Sequence, residues 1–455
     1  RPNVLFIAID DLNQSVGFLR GYPGLETPHL DRLAGRGIAF TNAHCAAPAC
    51  APSRTAVMTG MHPTSSGIYL NGHDFRQHHL TRDVTTLPDS FREAGYLTMG
   101  GGKIYHAHTL NETALEGFID PEPWDVFYPS KSQQLPEEVT PDSEWPVHGN
   151  PEWYRGRFDW EALNVEDDAM GDGQVVAWAE EQLAKVHDRP LFLAVGIYRP
   201  HIPWWTPKPY FDRHPLEEIQ LPQGPSDDLE DVPEAGREFP REHWQSWLEE
   251  QGQWEKAVQG YLASVSFTDA MVGRLLAGLA GGPMADQTIV VLWSDHGYHI
   301  GQKRHWEKFA LWEQTTRVPL IFADTREGGF GAGRTNQPTS LIDVYPTLVE
   351  LCGLEMPVHL DGESLVPLLR DPGRTGNRSV VTTHGLGNHA VRSERWRYIR
   401  YADGSEELYD HQHDPHEFSN LAQMPTVAET KAELAQWLPE EQAESAQRVK
   451  HLQTK

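Results

Sequence analysis

At 455 residues the chain is far longer than one small hydrophobic core organises, which excludes a peptide hormone or disulfide miniprotein and points to a large domain with a smaller second one. With 38 Lys and Arg against 65 Asp and Glu, the formal charge of -27 argues against nucleic-acid and acidic-membrane partners, and no basic run offsets it. No stretch approaches the ~18 consecutive apolar residues of a membrane span, and Cys45, Cys50 and Cys352 are too few and too odd in number for a disulfide framework.

Taken in chain order, the first predicted element is residues 4–10 (VLFIAID), a short apolar run ending beside two acids. This is the pattern of a buried strand whose carboxyl end meets a functional loop. Thr27-Pro28 opens a helix over PHLDRLAGRG, and Pro52 suits the first turn of another beginning near Cys50. A helix at 87–96 leads into the strand-like LTMGGG. A helix over 175–186 precedes a strand at 190–197, and a long helix over 254–280 precedes strands at 288–295 and 318–324. Strands alternating with helices imply an α/β fold with a mostly parallel sheet covered on both faces, in which ligands sit at the carboxyl ends of strands. The stretches 117–165 and 202–250, rich in Pro, Trp and acids, are expected to form rims or lids that hold substrate specificity. Beyond Gly353 the runs VVTTH, HAVRSE, WRYIRYA and EELYD predict a small antiparallel sheet, closed by a helix over 427–450. The expected organisation is a catalytic domain over 1–356, a connecting segment over 357–377 and a small α+β domain over 378–455.

Several residues carry chemistry by position alone. Cys50 would sit at a helix N-terminus, where unpaired amides favour an anion or thiolate, with Arg54 one turn on. Asp10, Asp11, Asp295 and His296 end two apolar strands on one edge of the sheet. Three carboxylates and one imidazole suit calcium or magnesium over zinc, although an Asp after a strand can also merely cap a helix. His201 follows another strand, at the place from which it reaches a substrate. Trp204, Trp205, Trp306 and Trp312 lie in neighbouring blocks and are the tryptophans to consider for sugar stacking.

CAPSRTAVMTG resembles the signature of the formylglycine-dependent type I sulfatases, with Cys50, Pro52, Ser53, Arg54, Thr59 and Gly60 in register. The blocks Asp10-Asp11, GKIYH at 102–106, YRPHIPWWTPKPYFD, SVSFTDAMVGRLL, SDHGYHIGQKRHWEKF and TTRVPLIF follow in the family's order. They resemble the iduronate-2-sulfatase branch more than the arylsulfatase branch.

The resemblance implies an alkaline-phosphatase-like fold and an exported protein, periplasmic, extracellular or lysosome-like, whose signal peptide is absent from this sequence. It implies that a formylglycine-generating or other sulfatase-maturing enzyme oxidises Cys50 to formylglycine. Ca²⁺, or Mg²⁺, would be held by Asp10, Asp11, Asp295, His296 and residue 50. Lys103 would pair with the formylglycine diol and sulfate, His106 would help expel sulfate, His201 beside Lys308 would meet the leaving oxygen, and Arg54 would hold the formylglycine hydroxyls. One hydroxyl of the hydrated aldehyde attacks sulfur, and the sulfated diol then collapses to aldehyde and sulfate, which a plain Ser cannot do. The implied substrate is a sulfated carbohydrate of a glycosaminoglycan or algal polysaccharide, such as a 2-O-sulfated uronic acid. Its carboxylate needs a further cation or donor, for which His73, Arg304 and His305 are the nearest candidates. The alternatives are a phosphonate or phosphate ester hydrolase, a choline-sulfate hydrolase, a sulfated-glycan binding protein without turnover, and a thiol enzyme using unmodified Cys50.

Overall fold

In the first strand, β1 (Asn3–Ile9), Val4, Phe6 and Ala8 pack into one hydrophobic core and Leu5, Ile7 and Ile9 into another. A strand apolar on both faces belongs in the middle of a covered sheet, and that is where β1 lies. The structure, a computed structural model, describes residues 1–107, 120–142, 148 and 158–449. Its main sheet adds β2 (Ile38–Phe40), β3 (Leu97–Gly102), β4 (Val126–Tyr128), β5 (Leu191–Ile197), β6 (Thr288–Ser294), β7 (Leu320–Asp324) and β8 (Gly333–Thr335). The spatial order is β8-β2-β7-β6-β1-β5-β3-β4. β1 runs parallel to β5 and β6, and β3 parallel to β4 and β5, while β7 is antiparallel to both its neighbours.

Helices cover both faces. On the Leu5 side lie α1 (Pro28–Ala34), α4 (Gly171–Leu183) and α6 (Trp254–Gly281). On the Val4 side lie α2 (Cys50–Thr59), α3 (Leu87–Glu93) and α7 (Val344–Cys352); α5 (Glu242–Glu250) packs on α6. By length and composition α6 matches a membrane span, yet 72% of its most apolar window is buried against the rest of the fold, as a core helix requires.

The four alternating runs near the end form the antiparallel meander β9 (Val380–Thr383), β10 (His389–Arg392), β11 (Trp396–Arg400) and β12 (Glu406–Asp410). Buried polar contacts fasten it to residues 311–313 of the large sheet's domain. Arg392 meets Glu313 at 3.1 Å, Arg397 Nη1 donates to the Leu311 carbonyl at 2.9 Å, and Trp312 Nε1 donates to Glu407 at 2.8 Å.

The expected helix over 427–450 is a correction: α8 spans only Ala428–Ala435. Pro439 supplies no amide and disfavours helical backbone at Leu438. Beyond it Ala443, Ala446 and Val449 donate instead to the carbonyls of Thr64, Gly67 and Gly72. Residues 117–119, 143–147 and 149–157 of the expected lid 117–165 lie outside the described residues. In 202–250 the strand Trp204–Pro207 pairs with Trp160–Leu163, so this stretch is ordered structure packed on α6.

Candidate active site

The strand register builds the site. Ile9 pairs with Ser294 across β1 and β6, so Asp10 and Asp11 emerge from the sheet beside Asp295 and His296. The neighbouring strand β5 delivers His201, and β3 delivers Lys103 and His106. At Gly102, φ is 73° and a Cβ would stand 2.1 Å from the Gly196 carbonyl oxygen. Only glycine lets the chain turn so close to β5 and bring Lys103 inward. From the Val4 side, α2 begins at Cys50 and aims its first turn at the same edge.

These side chains meet in one buried cluster. Cys50 Sγ lies 3.1 Å from Lys308 Nζ, 3.2 Å from His296 Nε2 and 3.7 Å from Asp10 Oδ1. Lys308 Nζ also reaches Asp11 Oδ1 at 2.9 Å, and His201 Nε2 stands 3.8 Å from Asp11 Oδ2. Lys103 is ion-paired with Asp10. Arg54 lies beneath the cluster, its Nε 2.7 Å from Asp295 Oδ2 and its Nη2 3.2 Å from Asp10 Oδ2. It further donates to the Lys103 carbonyl and, at 3.2 Å, to that of Ile104. Its hydrogen bonds go to the two acids and to backbone, so it clamps Asp10 against Asp295; toward residue 50 it acts through its charge.

Burial and these neighbours divide the acids. Burial raises Asp10, but Lys103, His201 and Arg54 more than offset this and hold it well below the carboxylate range. Burial, opposed by Lys308 and reinforced by the Asp10 charge, pushes Asp11 up to about 8. Burial and Asp10 raise the Cys50 thiol, while Lys308, Lys103 and His296 together bring it below the ordinary value. His106 is driven far down by burial first, then by Lys103 and Lys308, and is a neutral imidazole.

Asp10, Asp11, Cys50 and His296 each offer a ligand atom, all within 4.8 Å of one another. Asp11 Oδ2 is buried and receives no hydrogen bond. A buried acid whose ionisation burial disfavours, with an oxygen that no hydrogen bond satisfies, fits a hard cation, which would supply the counter-charge in place of a proton. Asp295 stands outside this group of four. Its Oδ1 accepts the backbone N–H groups of Asp11 and His296 at 3.2 and 2.9 Å, and its Oδ2 is held by Arg54.

The three candidates for a substrate carboxylate lie elsewhere. His73 is buried, accepts the Tyr69 amide at 3.1 Å and pairs through its backbone with Arg448 of the tail. Arg304 turns outward to Glu249 of α5 at 3.1 Å. His305 is fully buried within the Lys308 loop. The four tryptophans considered for stacking are all core residues, at most 1% exposed. Three supporting residues receive no role from the sequence. Ser53 donates to the Asp295 carbonyl at 2.5 Å, and Asn71 accepts the Ala51 amide at 3.0 Å, securing the first turn of α2. Asp172, at the start of α4, accepts the Tyr198 and Arg199 amides at 2.6 and 2.9 Å and anchors the turn that carries His201. Ser53 at least stood inside the signature, whereas Asn71 and Asp172 lie in no motif.

The sequence model of the family described as Sulfatase matches residues 2–354. The chain belongs to the sulfatase family. A second model, described as N-sulphoglucosamine sulphohydrolase, C-terminal, matches residues 301–444. The sulfatase is 39% identical over 439 residues to a protein named Sulfatase from Formosa agariphila, covering 93% of this chain and 83% of that one. It is 29% identical over 401 residues to human iduronate 2-sulfatase, covering 78% and 70%. Its fold superposes on the phosphonate monoester hydrolase of Agrobacterium radiobacter with a TM-score of 0.74 at 22% identity, covering 96% and 94%. The protein is therefore an enzyme that hydrolyses sulfate esters. A second acid and histidine cluster in this sulfatase, Glu313, His411 and Glu417, is neutralised by Arg392 and by Arg397, which lies 2.5 Å from Glu417; it ties the small sheet in place.

Proposed function

We propose that this sulfatase removes sulfate from a sulfated carbohydrate, with a 2-O-sulfated uronic acid as the preferred unit, using formylglycine at position 50 and a bound Ca²⁺. The convergence of Lys308, His296 and Asp10 on the residue-50 side chain carries the reading. Likeness to human iduronate 2-sulfatase supports the uronate. A thiolate among carboxylates mixes soft and hard donors, whereas an oxygen at position 50 makes the set suit calcium, or magnesium in second place. A sulfatase-maturing enzyme is the partner this reading requires. Export is part of it too, because a sulfated polysaccharide cannot cross a membrane to reach a cytoplasmic enzyme.

The hydrated aldehyde would supply the attacking oxygen, and the cation, held by Asp10, Asp11, His296 and residue 50, would polarise the sulfate oxygens. The chain's own residues do the rest. Lys103 and Lys308 hold two ammonium charges against the sulfate's negative charge. Burial lowers both, but Asp10 beside Lys103 and Asp11 beside Lys308 override it and keep them protonated. His201 donates through Nδ1 to the Ile202 carbonyl at 2.7 Å and has Nε2 3.8 Å from Asp11 Oδ2; as an imidazolium, protonated on both nitrogens, it passes the Nε2 proton to the departing alcohol oxygen. His106, neutral and buried, accepts a proton as sulfate is expelled.

Defined, singly sulfated oligosaccharides test the substrate. Sulfate release is expected from 2-O-sulfated uronides, with aryl phosphate turned over far more slowly than aryl sulfate. Preference for sulfated hexosamine, choline sulfate or aryl phosphate contradicts the reading.

A second expectation concerns the metal. Ca²⁺ at a hundred times its dissociation constant should stabilise the fold by about 2.7 kcal/mol, and Asp11→Asn should abolish the gain. Asp11 is raised to about 8 by burial, opposed by Lys308 and reinforced by Asp10. His296 reaches about 9, where burial lowers it and Asp295 and Cys50 more than compensate. Groups raised on folding stabilise fully below their unfolded values and lose that stabilisation as pH rises through the folded ones. The chelated protein should therefore weaken toward pH 8–9 and the Ca²⁺-dependent gain should grow. Thermal unfolding that ignores both chelator and Ca²⁺ across this range rules the site out.

A further inference from the structure

The loop that returns Lys308 to position 50 has an unfavourable backbone. Lys303, Arg304, Glu307 and Phe309, none of them glycine, have φ of 56°, 49°, 83° and 70°, and Lys308 lies between the last two. Such a loop keeps its shape only where its surroundings over-determine it.

His305 supplies that hold. Its ring is fully buried. Nδ1 accepts the backbone N–H of Arg241 at 2.9 Å, so the ring proton sits on Nε2, which donates to the Lys308 carbonyl at 2.7 Å. The ring meets His299 edge to face at 4.8 Å, and His299 Nδ1 in turn donates to the Gln302 carbonyl at 3.1 Å. Arg241, which precedes α5, grips the loop a second time through its side chain, 3.4 Å from Glu307. One imidazole thus ties the Lys308 backbone to the wall formed by the start of α5.

We propose that His305 is a positioning residue of the sulfatase reaction: as the neutral Nε2–H tautomer it holds the Lys308 carbonyl and thereby aims the Lys308 ammonium between Asp11 and residue 50. The proposal rests on the reading that Lys308 acts at residue 50. It replaces a contact with the substrate carboxylate as the role of His305, because both ring nitrogens are already engaged with backbone. Burial holds His305 well below the ordinary histidine value, in keeping with the neutral form. A protonated ring would turn a second N–H against the Arg241 amide.

The test is a double-mutant cycle on an aryl sulfate, with His305→Leu, His305→Gln, Lys308→Ala and the His305→Leu/Lys308→Ala pair. Leu fills the ring's volume without donor or acceptor, whereas Gln offers an amide oxygen to Arg241 and an amide N–H to Lys308. Loss of aim should lower kcat on the order of 10- to 100-fold in His305→Leu with little change in KM, and His305→Gln should recover most of it. In the Lys308→Ala background His305→Leu should cost less than about twofold, since a residue acting through Lys308 has nothing left to act on. Losses that multiply in the double variant, or a Gln variant as slow as Leu with equal thermal stability, overturn the role of His305 alone. A Lys308→Ala variant with wild-type kcat overturns the reading beneath it as well. If His305→Leu does not fold, His305→Gln against wild type in both Lys308 backgrounds completes the same cycle.

Discussion

Arg54→Ala should be about 3–5 kcal/mol less stable than the wild type and should release no measurable sulfate. The guanidinium is buried, with Asp295 and Asp10 at 2.7 and 3.2 Å, and its other N–H groups end on backbone carbonyls. Removing it leaves Asp295 without the guanidinium that binds its Oδ2 and Asp10 with Lys103 as its remaining close ion pair, so two buried carboxylates face each other unbridged. Breaking a buried pair from one side costs far more than the pair contributes net. Arg54→Lys should recover only part of the loss, because one ammonium cannot span both acids and the carbonyls of residues 103 and 104. Denaturant unfolding of the three proteins reads the effect. An alanine variant within about 1 kcal/mol of wild type would show that Arg54 is not the clamp of Asp10 and Asp295.

Replacing Cys50 separates chemistry from folding. Cys50→Ser keeps the size of the side chain and offers oxygen to Lys308 and His296, so its stability should stay within about 1 kcal/mol of wild type. Its turnover should nevertheless fall by on the order of 10³-fold or more, as for loss of an essential nucleophile. A serine carries one hydroxyl and has no second with which to expel a transferred sulfuryl group. Multiple turnovers of Cys50→Ser at a rate near wild type would sink the formylglycine reading.

Much of this site was readable before any coordinates, for a physical reason. An apolar run ending in acids has few places to go other than the middle of a sheet with its acids at the rim, so Asp10, Asp11, Asp295 and His296 could be assigned to one edge. Their partners could not. Arg304 and His305 are adjacent, yet left-handed backbone at Arg304 sends one side chain out to Glu249 and the next into the core. Residue type and a place beside the blocks that build the site make both look like cations or donors for a substrate. The family resemblance implies that Arg54 holds the formylglycine hydroxyls. Which atoms its five N–H groups meet depends on how closely β1, β3 and β6 approach one another. The short strands β2, β4 and β8 and the antiparallel direction of β7 were equally hidden, since runs of three to five residues fit either direction and are ordered only by neighbours distant in the chain. Asn71 and Asp172 support the site through one and two hydrogen bonds from backbone amides, which leave no pattern in a sequence.

The proposed chemistry stands or falls on the state of residue 50, and two readings on the same preparations decide it. Mass spectrometry of the tryptic peptide spanning residues 37–54 measures the aldehyde at position 50, with Cys45 as an internal unmodified thiol. Sulfate release measures turnover. Across preparations made with and without a sulfatase-maturing enzyme, turnover should rise in proportion to the aldehyde fraction and extrapolate to zero in its absence. Full activity from protein carrying only thiol at position 50 would contradict it.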